Sequence, residues 1–206
     1  MNDKIPIFPL PLVVLPGEKI PLHIFEEKYK KMIEYCLKND KKFGIVNTKN
    51  NDSLIFGCTV SIEKVYSEDQ STGEYDIIVA GEERFIVKSY NHSKSFKEAY
   101  VTIWEDSDIF HDSNSLQKTN ALFYEVLLKL GETTQISQFE APKSSYEICS
   151  MLDINLNAKK ILLKSQSEND RLILLRRLLK KAIIKLDQSK GGYLQSVEHI
   201  AAQYEA

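Results

Sequence analysis

The chain has 206 residues, 43% hydrophobic and 27% charged, with a formal net charge of −2, which is enough apolar material for one large folded domain or two small ones. So small a net charge predicts neither nucleic-acid nor membrane attraction across the surface. Cys36, Cys58 and Cys149 are widely spaced, with no CxxC and no paired histidines, so neither a disulfide framework, a metal site nor a cofactor is expected.

Residues Ile5 to Leu15 form an apolar run broken by Pro6, Pro9 and Pro11. Proline cannot donate to a ladder, so the run predicts an edge or bulged strand and not a central one. It is too short and too rich in proline to span a membrane and carries no small-residue cleavage site, which predicts a cytoplasmic protein. Pro16-Gly17 predicts a type II turn, proline presetting the first central φ and glycine supplying the positive second one. Ile20, Leu22 and Ile24 then alternate with Lys19, Pro21 and His23, the pattern of a half-buried strand. Tyr29, Met32, Ile33, Cys36 and Leu37 follow a helical period, and Phe43 to Val46 returns to strand. Four further runs, Gly57 to Tyr66, Tyr75 to Ala80, Arg84 to Tyr90 and Tyr100 to Glu105, read as strands, with Glu68 to Gly73 as a hairpin loop.

Near residue 110 the pattern changes. After a polar linker, Asp106 to Asn114, the residues Leu116, Phe123, Val126, Leu127 and Leu130 lie on one helical stripe that Gly131 closes. Ser144 with Glu147, and Ser167 with Asp170, predict two capped helix starts, the second opening a long helix that ends near Asp187. Gly191-Gly192 interrupts before the last residues. Periodicity thus predicts an α+β protein organised as a β-rich part at 1–110, a helical part at 111–190 and a tail at 191–206.

The residues also carry a resemblance. Phe8-Pro9-Leu10, Val14-Leu15-Pro16-Gly17, Pro21-Leu22-His23-Ile24-Phe25-Glu26, Tyr29 and Phe43-Gly44-Ile45-Val46 resemble the opening of the amino-terminal, substrate-binding domain of the ATP-dependent Lon protease family. Gly57, Asp76 to Gly81, and Arg84-Phe85 follow in the family's order, as do Tyr146 to Leu152, Lys159 to Leu163 and Arg171-Leu172. The likeness spans residues 5 to 187; Glu27 stands where the family usually has proline, and Lys28 where it usually has arginine. It implies a PUA-like, strongly bent β-barrel with one helix, followed by a helical bundle. It also implies that Pro9, Pro16, Gly17, Pro21, His23, Phe25, Glu26, Tyr29, Phe43, Gly44, Gly57, Gly81, Arg84 and Phe85 are mainly structural.

Catalysis is not expected. A phosphate-binding loop needs glycines followed by lysine, and no glycine here precedes a lysine. A Ser–Lys proteolytic domain is not found in these residues either. Glu82 and Glu83 are neighbours on a strand and point to opposite faces, so they cannot act as a carboxylate pair. His23 reads as a hydrogen-bonding residue, and Arg84 as an anchor for backbone carbonyls or Glu26. The long helix carries Ile173 and Ile184, beside Arg177 and Lys180, on the side away from its leucine stripe, which marks it either as a central member of the bundle packed on two faces or as a candidate partner surface. The expected function is a non-catalytic module that binds unfolded or exposed apolar protein segments, alone or with a protease or chaperone system. The alternative is RNA binding, by analogy with PUA-like folds and on two basic clusters: Lys28, Lys30, Lys31, Lys38, Lys41 and Lys42, and then Arg176, Arg177, Lys180 and Lys181. Interleaved acids and the lack of aromatic platforms disfavour it.

Overall fold

The computed structural model describes residues 3–48, 53–69, 72–107, 113–132 and 140–188. The expected tail at 191–206, the middle of the linker, part of the hairpin tip, His111 and His199 lie outside them. The chain divides into two compact units, 1–105 and 106–206.

The first unit holds β1 (Asp3–Leu10), β2 (Lys19–Ile24), α1 (Glu27–Lys38), β3 (Lys42–Asn47), β4 (Phe56–Asp69), β5 (Glu74–Asn91) and β6 (Glu98–Ile103). Their order in the sheet is β2-β5-β4-β3-β1-β6, and β6 pairs back onto β5. Five strands therefore close into a bent barrel, with β2 added alongside the first half of β5.

Contrary to the expectation from its prolines, β1 is not an edge strand. It pairs antiparallel with β6 over Asp3 to Pro6 and parallel with β3 over Ile7 to Leu10. The change of partner is what admits proline. The Ile7 N–H donates to Lys97 on the β6 side at 2.8 Å, and Thr48 donates to the Leu10 carbonyl on the β3 side at 2.9 Å. Since backbone groups alternate sides along a strand, the absent N–H of Pro6 faces β3 before that ladder begins. The absent N–H of Pro9 faces β6 after that ladder has ended. Neither proline removes a bond.

The two runs Tyr75 to Ala80 and Arg84 to Tyr90 are one strand, β5. Along one edge it pairs with β4 almost throughout; along the other it pairs first with β2, up to Ala80, and then with β6, from Phe85. Gly81 carries no turn. Register shifts at Cys58/Val60, Ile62/Lys64, Val65/Ser67 and Val87/Ser89 supply the bend a small barrel needs. α1 buries Tyr29, Met32, Ile33 and Cys36, and the Tyr29 ring lies 4.3 Å from that of Phe8 on β1.

Glu98 on β6 is 1% exposed, held by Lys4 at 3.3 Å and Lys94 at 3.0 Å. Burial pushes its carboxyl up, but the hydrogen bonds and charges of Lys94 and Lys4 outweigh this and hold it below the usual carboxylate range. A lowered folded-state pKa contributes stability above the unfolded value, about 4.3, that is lost as pH falls towards the folded value. Denaturant titrations between pH 6 and pH 3 should therefore show the Glu98→Gln chain less stable at pH 6 and losing less on acidification than the parent. An unchanged acid slope would remove Glu98 as a source of acid sensitivity.

The second unit holds α2 (Ser113–Leu130), α3 (Ser145–Ser150), α4 (Leu156–Lys164) and α5 (Glu168–Gln188). The helix ends follow the sequence signals. Ser144 accepts from the Glu147 N–H at 3.2 Å and Ser167 from the Asp170 N–H at 3.3 Å. The Glu147 carboxylate, however, reaches the N–H of Lys143 at 2.8 Å, so that capping box is displaced by one residue. After α2, the N–H groups of Gly131 and Glu132 return to the carbonyls of Leu128 and Leu127, a Schellman closure. The buried face of α2 is more polar than the expected stripe: Ser115, Thr119 and Asn120 are buried with Phe123 and Val126. Leu116, Leu127 and Leu130 are only partly buried. Ser115 Oγ donates to Asn169 at 2.8 Å and Arg176 donates to Ser115 Oγ at 2.7 Å, while Lys129 pairs with Asp187 at the other end. α2 and α5 thus run parallel.

Around Arg171, which is 2% exposed, the unit carries a buried ionic cluster. Its guanidinium donates to Asp106 with both terminal nitrogens (Nη1 to Oδ1 at 2.7 Å), to Glu168 Oε2 at 2.7 Å, to the Ser165 carbonyl at 2.9 Å and to Ser145 Oγ at 3.0 Å. Glu168 accepts in turn from the Ser145 N–H at 2.6 Å. Burial opposes the charge, yet the hydrogen bonds that Arg171 donates to Asp106 and the neighbouring negative groups raise the Arg171 pKa further. The cluster joins α5 to the start of α3 and to Asp106.

Candidate functional site

The motif residues of the first unit fall into three groups. Pro16-Gly17 makes the predicted turn: Gly17 has φ +83° and the Glu18 N–H bonds the Leu15 carbonyl at 3.2 Å. The turn is pinned to β5, with the Gly17 N–H donating to the Gly81 carbonyl at 2.9 Å and the Gly81 N–H to the Glu18 carbonyl at 2.8 Å. A Cβ on Gly81 would lie 2.2 Å from the Leu15 oxygen, a close backbone approach that only glycine permits.

The second group is a plug. Phe85 is fully buried with Ile7, Val46, Ala99 and Val101. Its ring occupies the space that a side chain at Gly57 or Gly44 would need, since a Cβ there would lie 2.3 Å or 2.7 Å from its Cζ. Phe43 on β3 and Tyr29 on α1 are buried against Phe8, their rings 6.2 Å and 4.3 Å from its ring. Arg84 is 6% exposed, whereas Glu26 is surface-exposed and ion-paired with Lys28 at 2.8 Å.

The third group lies along β2, which among the described residues pairs only with β5. Its burial alternates as predicted, Ile24 being the most buried. Because Gly81 bonds Glu18, the N–H groups of Ile20, Leu22 and Ile24 meet β5, and position 21 faces outward, where Pro21 offers no donor. This blunts the edge against further strands. His23 bonds Asp76 at 2.9 Å and lies 3.6 Å from Glu74, the hydrogen-bonding role read from the sequence. Phe25 is 60% exposed and stacks on the His23 ring at 5.9 Å.

In the second unit, Arg177 and Lys180 are exposed, Ile184 is 57% exposed and Ile173 is half-buried. Spacings of three, four and seven residues put them on one face of α5. Beside that face runs an open groove of about 380 Å³, walled by Lys118, Ala121, Leu122 and Glu125 of α2 and by Arg176 and Lys180 of α5. Sequence reading had no signal for the α2 wall, because its partner helix begins some forty residues beyond the end of α2.

Three of the six lysines in the first basic cluster are ion-paired. Lys28 pairs with Glu26, Lys30 with Glu27 and with the Thr72 carbonyl at 2.6 Å, and Lys42 with Glu82 at 2.6 Å. The thiols are all buried, and burial pushes those of Cys36 and Cys58 up to about 12, far from a nucleophile's range. Among the described residues no three His, Cys, Asp or Glu side chains come together as a metal ion would require. No described helix is long and apolar enough to cross a membrane.

A bent barrel with one helix, followed by a helical unit, defines an α+β protein of the PUA-like barrel class. The family model for the ATP-dependent protease La (LON) substrate-binding domain matches residues 4–181, and the chain belongs to that family. The Lon protease of Buchnera aphidicola subsp. Baizongia pistaciae (strain Bp) is 25% identical over 209 residues, covering 91% of this chain. The chain spans about a quarter, 26%, of that relative's length. In fold the chain is similar to the Lon N-terminal domain protein from Xanthomonas campestris, with TM-score 0.63 and 20% identity, covering 85% of this chain and 98% of that one. It is also similar to the N-terminal domain of the Mycobacterium avium complex Lon protease, with TM-score 0.69 and 14% identity, covering 92% and 100%.

Proposed function

We propose that the chain is a non-catalytic recognition module of the cytoplasm that binds unfolded protein segments with exposed apolar groups, alone or in concert with a protease or chaperone system. The match to a substrate-binding domain over residues 4–181 carries this reading. The chemistry of the surface supports it. Binding of this kind needs apolar groups held outward on a folded scaffold, and Phe25, just past the end of the edge strand β2, and Ile184, on α5, are such groups. RNA binding is weakened as a reading by the first basic cluster, three of whose six lysines are engaged by carboxylates.

Mixing the chain with a fluorescently labelled, chemically unfolded protein at micromolar concentration tests the reading. Retention of the unfolded form, but not of the same protein when folded, is the expected result. Equal retention of both forms, or of neither, would overturn it.

A further inference from the structure

We infer that the α2–α5 groove is the docking site for an acidic peptide segment carrying a large apolar side chain. This deepens the proposed function by assigning a surface and a partner chemistry, and it rests on that reading.

The groove combines a small apolar floor with a cationic rim. Ala121 and Leu122 supply the floor, and Lys118, Arg176 and Lys180 the rim, with Arg177 exposed next to it. Its volume, about 380 Å³, falls within the range of ligand-sized sites. The positive charge here is available. Lys118, Arg177 and Lys180 have no ion pair among the described residues, unlike Lys28 and Lys30 of α1.

Arg176 is also prepared for a carboxylate. Its Nη1 is tied to the Ser115 carbonyl at 3.0 Å, to Ser115 Oγ at 2.7 Å and to Thr119 Oγ1 at 3.3 Å. Those bonds fix the guanidinium plane and leave Nε and Nη2 without a protein partner among the described residues. A planar fork already held in place loses less freedom on meeting a carboxylate than a mobile lysine does. Ser115 and Thr119, two buried polar residues of α2 that hydrophobic patterning did not predict, thus have a use: they position this arginine.

Two features favour a peptide over a nucleic acid. Glu125 stands in the groove wall and would repel a phosphate backbone, whereas a peptide can set a neutral or basic residue against it. No aromatic side chain lines the groove to stack a base. Ile184, one turn beyond Lys180 on the same face, extends the apolar surface along α5.

The probes are a fluorescein-labelled twelve-residue peptide with a central Leu-Phe pair flanked by aspartates and glutamates, the same peptide with lysines and arginines as flanks, and a single-stranded oligouridine. Anisotropy titrations of the full chain should show the acidic peptide bound more tightly than its basic counterpart, with affinity falling as salt rises. The Lys118→Glu/Lys180→Glu chain should bind the acidic peptide about ten-fold or more weakly, each exposed charge contributing roughly 1 kcal/mol, and should bind the basic peptide better than the parent does. If the reversed chain fails to melt like the parent, the Lys118→Gln/Lys180→Gln chain takes its place, with the same loss expected for the acidic peptide. Equal affinity for both peptides, an unchanged affinity in natively folded variants, or displacement of the acidic peptide by oligouridine would overturn the assignment. Unfolded-protein retention in the same variants separates the two levels. If parent and variants retain the unfolded protein equally while the peptides do not discriminate, the groove assignment falls and the broader reading stands. If the parent retains neither the unfolded protein nor the acidic peptide, both fall.

Discussion

Replacing Phe85 with alanine is expected to cost about 3–5 kcal/mol of unfolding free energy, the range for deleting a buried phenyl ring. The ring is fully buried among residues of β1, β3 and β6, so its loss opens a void that strands from several parts of the chain would have to collapse to fill. Gly57→Ala should destabilise for the opposite reason. Its new methyl would stand 2.3 Å from the ring and 2.6 Å from the Ile45 carbonyl, and overpacking of this kind typically costs about 1–3 kcal/mol. Because both changes act on one volume, they should not add. In the Phe85→Leu background, where the smaller side chain leaves room, the cost of Gly57→Ala should shrink by about 1 kcal/mol or more. Urea titrations of the four chains in this cycle measure it directly, and strict additivity would show that the ring is not what excludes a side chain at position 57.

Arg171→Met is the second large effect. The substitution roughly preserves volume but strands Glu168, 5% exposed, and Asp106 without their shared cation. Breaking one side of a buried ion pair in this way costs about 3–5 kcal/mol, more than the intact pair contributes over an apolar replacement. Arg171→Lys should recover only part of the loss. An ammonium cannot bond Asp106 with two nitrogens while also reaching Ser145 and the Ser165 carbonyl. Thermal melts of the two variants would settle the order. Equal melting of parent and Arg171→Met would mean that the cluster is energetically idle, as exposed ion pairs often are.

Much of the first unit was legible because its signals are local. The Pro16-Gly17 turn, the alternation of Ile20, Leu22 and Ile24, and the buried stripe of α1 each depend on residues within one or two turns of chain. What misled was also local. Proline spacing indicated an edge or bulged strand because the rule assumes one partner per side along the whole strand, and β1 changes partner midway. The break assumed between Ala80 and Arg84 is a change of neighbour within β5 and not a turn. In the second unit, the stripe on α2 was read as wholly apolar because nothing nearby in the chain shows that Ser115 and Thr119 meet Arg176 across a gap of about sixty residues.

By itself the sequence determined the family, the alternation of elements, the turn and cap positions, and the residue types that must be buried. These follow from backbone conformational preference and hydrophobic periodicity, which act at short range. Only the tertiary structure decided which strands β1 joins, why positions 44, 57 and 81 are glycine, which lysines are neutralised, and that two helices share a cationic groove. Each of these depends on distances between residues far apart in the chain, set by packing and by the pairing of backbone and charged groups, and no local pattern records them.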